Sequence, residues 1–268
     1  MTPGLEVNVS FEPYIARGRF FRDLTFDFFI SDKVGAEWYG GSNQSLPERE
    51  WVFDRVLKGM TIVDCGCHHG MMSVLFALHA GASGKVFAFD ALPDNIAAVR
   101  RNAQLNGLEN ITAKAVALGH RCGHGWVSLN SGNAVVQKSP ARDGLEIALS
   151  RLDDEISPDV RIDFLKIDVE GFEFEVMRGA RRILAHKPII DLEIHNFIHR
   201  GSCLAPIRRQ LLGLGYNFYV QETIGVSPHG PHNDFDISAI AVFDNPHIYC
   251  VPVVRRRRWF ERLRTFHR

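Results

Sequence analysis

No stretch of the 268 residues approaches the roughly 20 consecutive apolar residues of a helical membrane span, so none is expected. The opening residues, MTPGLEVN, lack the basic-then-apolar pattern of an export signal, which makes the cytoplasm the expected compartment. Cysteine is sparse. Cys65, Cys67, Cys122, Cys203 and Cys250 are odd in number and scattered, which argues against a disulfide framework and for reduced thiols. Internal repeats are lacking, as is any low-complexity tract before the last residues. Net charge is also lacking, at a formal +0, but this neutrality hides an asymmetry. Residues 255–268 hold seven arginines against Glu261, a balance of +6 that leaves −6 for the rest. That tail reads as a solvated terminus. Trp259, Phe260 and Leu263 among the arginines allow a peripheral membrane-surface helix, with nucleic acid or a protein partner as other takers.

What is present is an apolar fraction of 46%, ample for the core of one α/β domain with additions. Its most informative stretch is Thr61-Ile-Val-Asp-Cys-Gly-Cys-His-His-Gly-Met-Met-Ser73. An apolar run ends in Asp64, turns on Gly66 and Gly70, and enters an apolar helical pattern: strand, tight turn, helix, the usual cradle of a nucleotide-like cofactor. The middle glycine of a dinucleotide fingerprint is missing, with His68 in its place, so close approach of a pyrophosphate is disfavoured. A nicotinamide-dependent oxidoreductase is therefore the alternative reading. A cofactor with an ammonium and no phosphate fits better, and S-adenosylmethionine is one. Asp64 would meet its amine, and Asp90, ending Val86-Phe-Ala-Phe-Asp90, its ribose hydroxyls.

From Thr61 to about Phe243, strand-like and helix-like segments alternate, which predicts a mostly parallel sheet covered on both faces. Ile96, Val99 and Ala103 form one apolar helical stripe, and Phe172, Val176, Ala180 and Leu184 a second. The second stripe predicts one helix between Gly171 and Pro188, with Glu173, Glu175, Arg178, Arg181 and Arg182 on its solvated face. Leu204, Ile207, Leu211 and Leu214 form a third stripe, stopped by Gly215. Residues 216–221 and 237–243 read as a closing strand pair. The expected organisation is a cap or lid over 1–58 with a helix at 47–57, a core domain over 59–245 and the Arg-rich tail over 246–268.

Four strand-like runs end in acids, at Asp64, Asp90, Asp168 and Glu193, and in a parallel sheet such ends line the ligand-binding edge. Asp168 is alternatively a helix N-cap. The run DFLKIDVEGFEFEVMRGA at 163–180 resembles the signature segment of the FkbM family of S-adenosylmethionine-dependent methyltransferases. Val63-Asp-Cys-Gly-Cys-His-His-Gly70 stands in for that family's Asp-x-Gly-Ala-Asn-x-Gly turn, and Asn102-Ala-Gln-Leu-Asn106 matches its helix end. Ala115-Val-Ala-Leu-Gly119, Leu152-Asp-Asp154 and Glu193-Ile-His195 follow in the family's order. The resemblance covers residues 60–242. It implies a Rossmann-like class I fold, seven strands with an antiparallel closing strand, and methyl transfer to oxygen. Typical acceptors are hydroxyls of carbohydrates, glycolipids or secondary metabolites. It also implies Asp64, Gly66 and Gly70 at the methionine end, Asp90 on the ribose, and Ala117 and Leu118 near adenine. Cys67-His68 departs from the family's Ala-Asn pair and alters the cofactor contacts expected there.

A hydroxyl acceptor needs a base. His195 is the first candidate, since it follows Glu193 by two and titrates near neutrality. Asp168 is the rival base, Glu193 an orienting or positioning residue, and Glu170 a substrate contact or brace. Asp168, Glu170, Glu193 and His195 also suit Mg²⁺, Mn²⁺ or Zn²⁺, although their spacing selects none and a metal is not the favoured expectation. Cys65, Cys67, His68 and His69 lack the second ligand pair of a zinc ribbon, so His68 and His69 read as wall residues. Trp38 and Tyr39 are suited to stacking on a sugar ring or to anchoring the core. His229, His232 and Asp234 fall in a turn-rich insert suited to an acceptor wall. The expected function is an O-methyltransferase with a small-molecule or glycan acceptor. A nitrogen acceptor would use the same edge, and a non-catalytic scaffold binding through its tail is the non-enzyme alternative.

Overall fold

A computed structural model describes residues 11–41, 47–130, 133–137, 144–195, 204–221 and 247–253. The apolar run after Met60 forms β3 (Thr61–Cys65), preceded by the hairpin β1 (Tyr14–Phe21) and β2 (Leu24–Ile30) and by helices α1 (Lys33–Tyr39) and α2 (Pro47–Phe53). Then come α3 (Met71–Ala80), β4 (Lys85–Asp90), α4 (Pro93–Leu105) and β5 (Ile111–Ala115). A central sheet of seven strands is completed by β10 (Phe164–Ile167), β11 (Ile189–Glu193), β12 (Tyr216–Gln221) and β13 (His247–Pro252), in the order β12-β13-β11-β10-β3-β4-β5. Pairing from β11 across to β5 is parallel, whereas β13 runs antiparallel to both its neighbours. This is the Rossmann-like class I methyltransferase fold. Strands buried on both faces are near-continuously apolar, as Phe164–Ile167 shows with every residue buried.

The expected closing pair is half right. Tyr216–Gln221 is a strand, but its partner is His247–Pro252, while 237–243 lies outside the described residues. The sheet therefore continues past residue 245, into the stretch assigned to the tail. The reason is local: Ile248 and Cys250 enter one core and Tyr249 the other, so a six-residue run just before the arginines is buried on both faces. The arginines themselves lie outside the described residues, as do His229, His232 and Asp234.

Ile96, Val99 and Ala103 are buried on α4 as expected, and Leu204, Ile207 and Leu211 on α8 (Leu204–Leu214). The second stripe needs correction. It is two short helices, α6 (Glu173–Arg178) and α7 (Arg181–Ala185), separated at Gly179 and Ala180. Asp153, from α5 (Leu152–Glu155), causes the break by capping the second helix: its carboxylate accepts the N–H groups of Arg182 at 2.8 Å and Ile183 at 3.1 Å. Glu173, expected on the solvated face, is fully buried.

A four-stranded side sheet, not anticipated from the sequence, follows β5. It pairs β6 (Ala117–Leu118), β9 (Leu145–Ser150), β7 (Gly123–Asn130) and β8 (Asn133–Gln137) in that order.

The N-terminal segment is built into the fold. Phe21, Phe28 and Trp51 share a core with α3 and Tyr249, and Trp51 stacks on Tyr249 at 4.4 Å. The open edge of β2 is satisfied by two amides one turn apart on α4. Asn102 accepts from Phe29 N–H at 2.6 Å and donates to Phe29 O, and Asn106 does the same for Asp27 at 2.9 and 2.8 Å. Among the described residues no helix is long and apolar enough to cross a membrane.

Candidate active site

The C-terminal ends of the parallel strands open on a cavity of about 500 Å³. Asp64, Gly66, Cys67, Asp90, Ala117 and Leu118 line it, as do Asp168, Glu170, Glu193 and His195. Gly70 does not. It stands behind the turn as the cap residue of α3 at φ 84°, where a Cβ would meet Val99 at 2.9 Å. Gly66 is required for a tighter reason: φ is 81° and a Cβ would overlap the Asp168 carbonyl oxygen at 1.6 Å. The turn after β3 is thus pressed onto the turn after β10, which brings Asp64 and Asp168 to one cavity.

On the β3–β4 side the acids are held by neutral donors. Ser73 Oγ donates to Asp64 Oδ2 at 2.6 Å, while Asp64 Oδ1 is buried without a partner. Asp90 accepts from the N–H groups of Leu92 and His68 and from Asn95 Nδ2, each at 2.9 Å. Burial raises the pKa of both carboxyls. His68 adopts φ 48°, stacks on His69 at 4.2 Å and places Nδ1 3.0 Å from the Tyr39 hydroxyl. Burial, then the neighbouring His69, lowers its pKa to about 4. His69 Nε2 lies 2.9 Å from Ser31 Oγ and 3.0 Å from Asp32 Oδ2, which ties the N-terminal segment to the glycine turn. Asp32, His68 and His69 also have metal-ligand spacing.

On the β10–β11–β13 side the acids face cations. Lys166, buried on β10, donates to Asp168 Oδ2 at 2.7 Å. Burial disfavours its ammonium, but the charges of Asp168, Asp64, Asp191 and Glu193 raise its pKa. Burial works against the Asp168 carboxylate too, yet Lys166 and His195 hold its pKa down to about 2. Burial and then the Asp168 charge push Glu193 up to about 7. His195 Nδ1 donates to Glu173 Oε1 at 2.7 Å. That bond and the nearby carboxylates outweigh burial and raise His195 to about 9. His247 Nδ1 meets Asp191 Oδ1 at 3.1 Å and its Nε2 lies 3.4 Å from Glu193 Oε2. Burial is again outweighed by Glu193 and Asp191, and its pKa also rises to about 9.

Lys166, Glu173, Asp191 and His247 were not singled out as site residues by the sequence. Trp38 and Tyr39 were, and both line the cavity beside Arg49 and Val52 of the N-terminal segment. A signal for Lys166 was present, since a lysine inside an otherwise apolar four-residue strand needs a carboxylate partner.

Comparison with solved structures gives three examples of what this fold resembles. An FkbM methyltransferase from Methylobacillus flagellatus KT is 21% identical at a TM-score of 0.48, covering 72% of this chain and 44% of that one. A SAM-dependent O-methyltransferase from Thermotoga maritima is 14% identical at 0.47, covering 87% and 76%. An rRNA methylase from Streptococcus thermophilus is 12% identical at 0.46, covering 76% and 93%. The chain thus spans less than half the length of the Methylobacillus flagellatus protein it matches. No curated protein matches it. The model of the methyltransferase FkbM domain matches residues 64–218, more than half of the chain and every strand end that lines the cavity except that of β13, so the chain belongs to the methyltransferase FkbM domain family.

Proposed function

We infer that the chain is an S-adenosylmethionine-dependent O-methyltransferase acting on a hydroxyl of a carbohydrate, glycolipid or secondary metabolite. The observation that carries the cofactor is Asp64: a fully buried carboxylate with one oxygen bonded to Ser73 and the other without a partner, on the cavity wall. A buried acceptor left open costs about 1–3 kcal/mol unless a ligand donor fills it, and the cofactor's ammonium is such a donor. Asp90 is suited to the ribose and the apolar Ala117 and Leu118 to adenine, with Gly66 and Cys67 forming the floor between them. Once bound, the cofactor supplies an electrophilic methyl on sulfonium.

The acceptor then belongs against Asp168, Glu170, Glu193 and His195, where its proton is taken up. Against burial, the Glu173 bond and the surrounding carboxylates raise the His195 pKa to about 9, so its basicity depends on the positive charge that enters. The six carboxylates lining the cavity repel a polyanion, which favours a neutral small-molecule or glycan acceptor over nucleic acid. Trp38, half exposed at the rim, is a platform for its ring.

Isothermal titration with S-adenosylhomocysteine tests this reading. Binding in the micromolar range is expected, and Asp64→Ala should weaken it by about 10–100-fold, the worth of a hydrogen bond to a charged group. Unchanged affinity in Asp64→Ala removes that assignment, and a folded sample that binds nothing removes the cofactor.

A further inference from the structure

Three ligand-type atoms converge where β10 and β11 end. His195 Nε2 lies 3.3 Å from Glu170 Oε2, 3.8 Å from Asp168 Oδ1 and 3.9 Å from Glu193 Oε1, and ligand atoms of Asp168, Glu193 and His195 fall within 4.8 Å of one another. In each residue the opposite atom is anchored. Glu173 Oε1 takes the His195 Nδ1 proton at 2.7 Å, Lys166 Nζ holds Asp168 Oδ2 at 2.7 Å, and His247 Nε2 lies 3.4 Å from Glu193 Oε2. Outer partners of this kind set the tautomer and direction of metal-ligating imidazoles and carboxylates.

Glu173 Oε1 already accepts the Gly171 N–H at 2.7 Å, so the atom facing His195 Nδ1 is an acceptor that keeps a proton on Nδ1, and a neutral ring then presents its lone pair at Nε2. Three carboxylate oxygens gathered around one lone pair repel it unless positive charge lies between them, which either a proton on Nε2 or a metal ion supplies. The charge of the whole cavity points the same way. Six carboxylates line it, and even Lys166, Arg49 and protonated His195 and His247 leave negative charge in excess. Asp64 Oδ1 is in addition buried without a partner on that wall.

The geometry points to a divalent cation site formed by Asp168, Glu193 and His195, with Glu173, Lys166 and His247 as its outer anchors. Adjacent ligands of an octahedral ion with bonds of about 2.1 Å sit about 3.0 Å apart, so a small inward turn of the two carboxylates closes the set. Two carboxylates and one imidazole suit an ion of the Mn²⁺ or Mg²⁺ kind. The role given to the ion rests on the methyl-transfer reading, whereas the site itself does not. There the ion binds the acceptor hydroxyl and lowers its pKa, and His195 serves as ligand. The hydroxyl proton passes to the Glu170 carboxylate. The oxygen forms its bond to the methyl carbon as the carbon–sulfur bond breaks, and S-adenosylhomocysteine leaves.

The test is titration of EDTA-treated full-length protein with MnCl₂, followed by loss of the free-ion electron paramagnetic resonance signal, with S-adenosylhomocysteine calorimetry on the same samples. Saturable micromolar binding at a single site is expected. Glu193→Gln and His195→Ala should each raise Kd about tenfold or more, and Glu173→Gln about 10–100-fold, with nucleoside affinity kept as the sign of an intact fold. No saturable uptake by the folded wild-type protein overturns the site, as does uptake unaltered in both Glu193→Gln and His195→Ala. Mn²⁺ uptake without S-adenosylhomocysteine binding keeps the site and removes the methyl-transfer reading. The opposite pattern keeps that reading and removes the site.

Discussion

The two halves of the cavity use the same residue type in opposite ways. At the ends of β3 and β4, Asp64 and Asp90 accept from a hydroxyl, an amide and backbone N–H groups, all neutral and supplied by the turns after the two strands and the first turns of α3 and α4. At the ends of β10, β11 and β13, Asp168, Asp191 and Glu193 meet Lys166, His195 and His247. A carboxylate held by neutral dipoles keeps its geometry whatever arrives, whereas one held by titratable cations changes state with its occupant. The first half is suited to holding a constant ligand and the second to answering a changing one.

The contrast predicts where substitutions will bite. His195→Ala should lower turnover by about 10²–10⁴-fold with S-adenosylhomocysteine affinity nearly intact, because it removes a group of the responsive half alone. Turnover that survives there and collapses in Asp168→Asn would shift the essential role from His195 to Asp168. Lys166→Met should destabilise the fold by about 3–5 kcal/mol in urea unfolding, since it strands Asp64, Asp168, Asp191 and Glu193 around a lost cation. A smaller loss would mean that those carboxylates share protons instead.

The neutral half yields a pH effect through His68. Its folded pKa of about 4 lies below the unfolded value of 6.5, so as pH falls through this window the unfolded chain takes up a proton that the folded chain refuses. Stability should therefore rise with pH from about 4 to 6.5, by about 3 kcal/mol from this group, and His68→Gln should flatten the rise in urea midpoints. Equal slopes in both proteins would remove the assignment. The smallest effect is expected at Trp38→Ala, which should raise KM by about 2–10-fold, with stability changed by less than about 0.5 kcal/mol at this half-exposed site.

The neutral half was legible in the sequence because its parts are local. Asp64, Gly66 and Gly70 sit within one strand–turn–helix pattern, and the stripe Ile96, Val99 and Ala103 has the helical period. The responsive half was legible only at Asp168, Glu170, Glu193 and His195. Glu173 falls on the polar side of an apparently continuous stripe, and what buries it is a histidine 22 residues later. His247 enters from an antiparallel strand that inserts between two earlier strands, a pairing no local period encodes. Asn102 and Asn106 illustrate the same limit. Their spacing marks them as one helix face, but their task, sealing the edge of β2, depends on a hairpin more than seventy residues earlier.

The insertion of β13 also imposes an order on synthesis. A chain leaving the ribosome presents the glycine turn early and can pair β3, β4, β10 and β11 as they emerge, yet β11 and β12 cannot be joined until His247–Pro252 has been made. Until then two strand edges stand open and Asp191 and Glu193 lack their histidine. On the methyl-transfer reading proposed above, the side assigned to the cofactor would form before the side assigned to the acceptor.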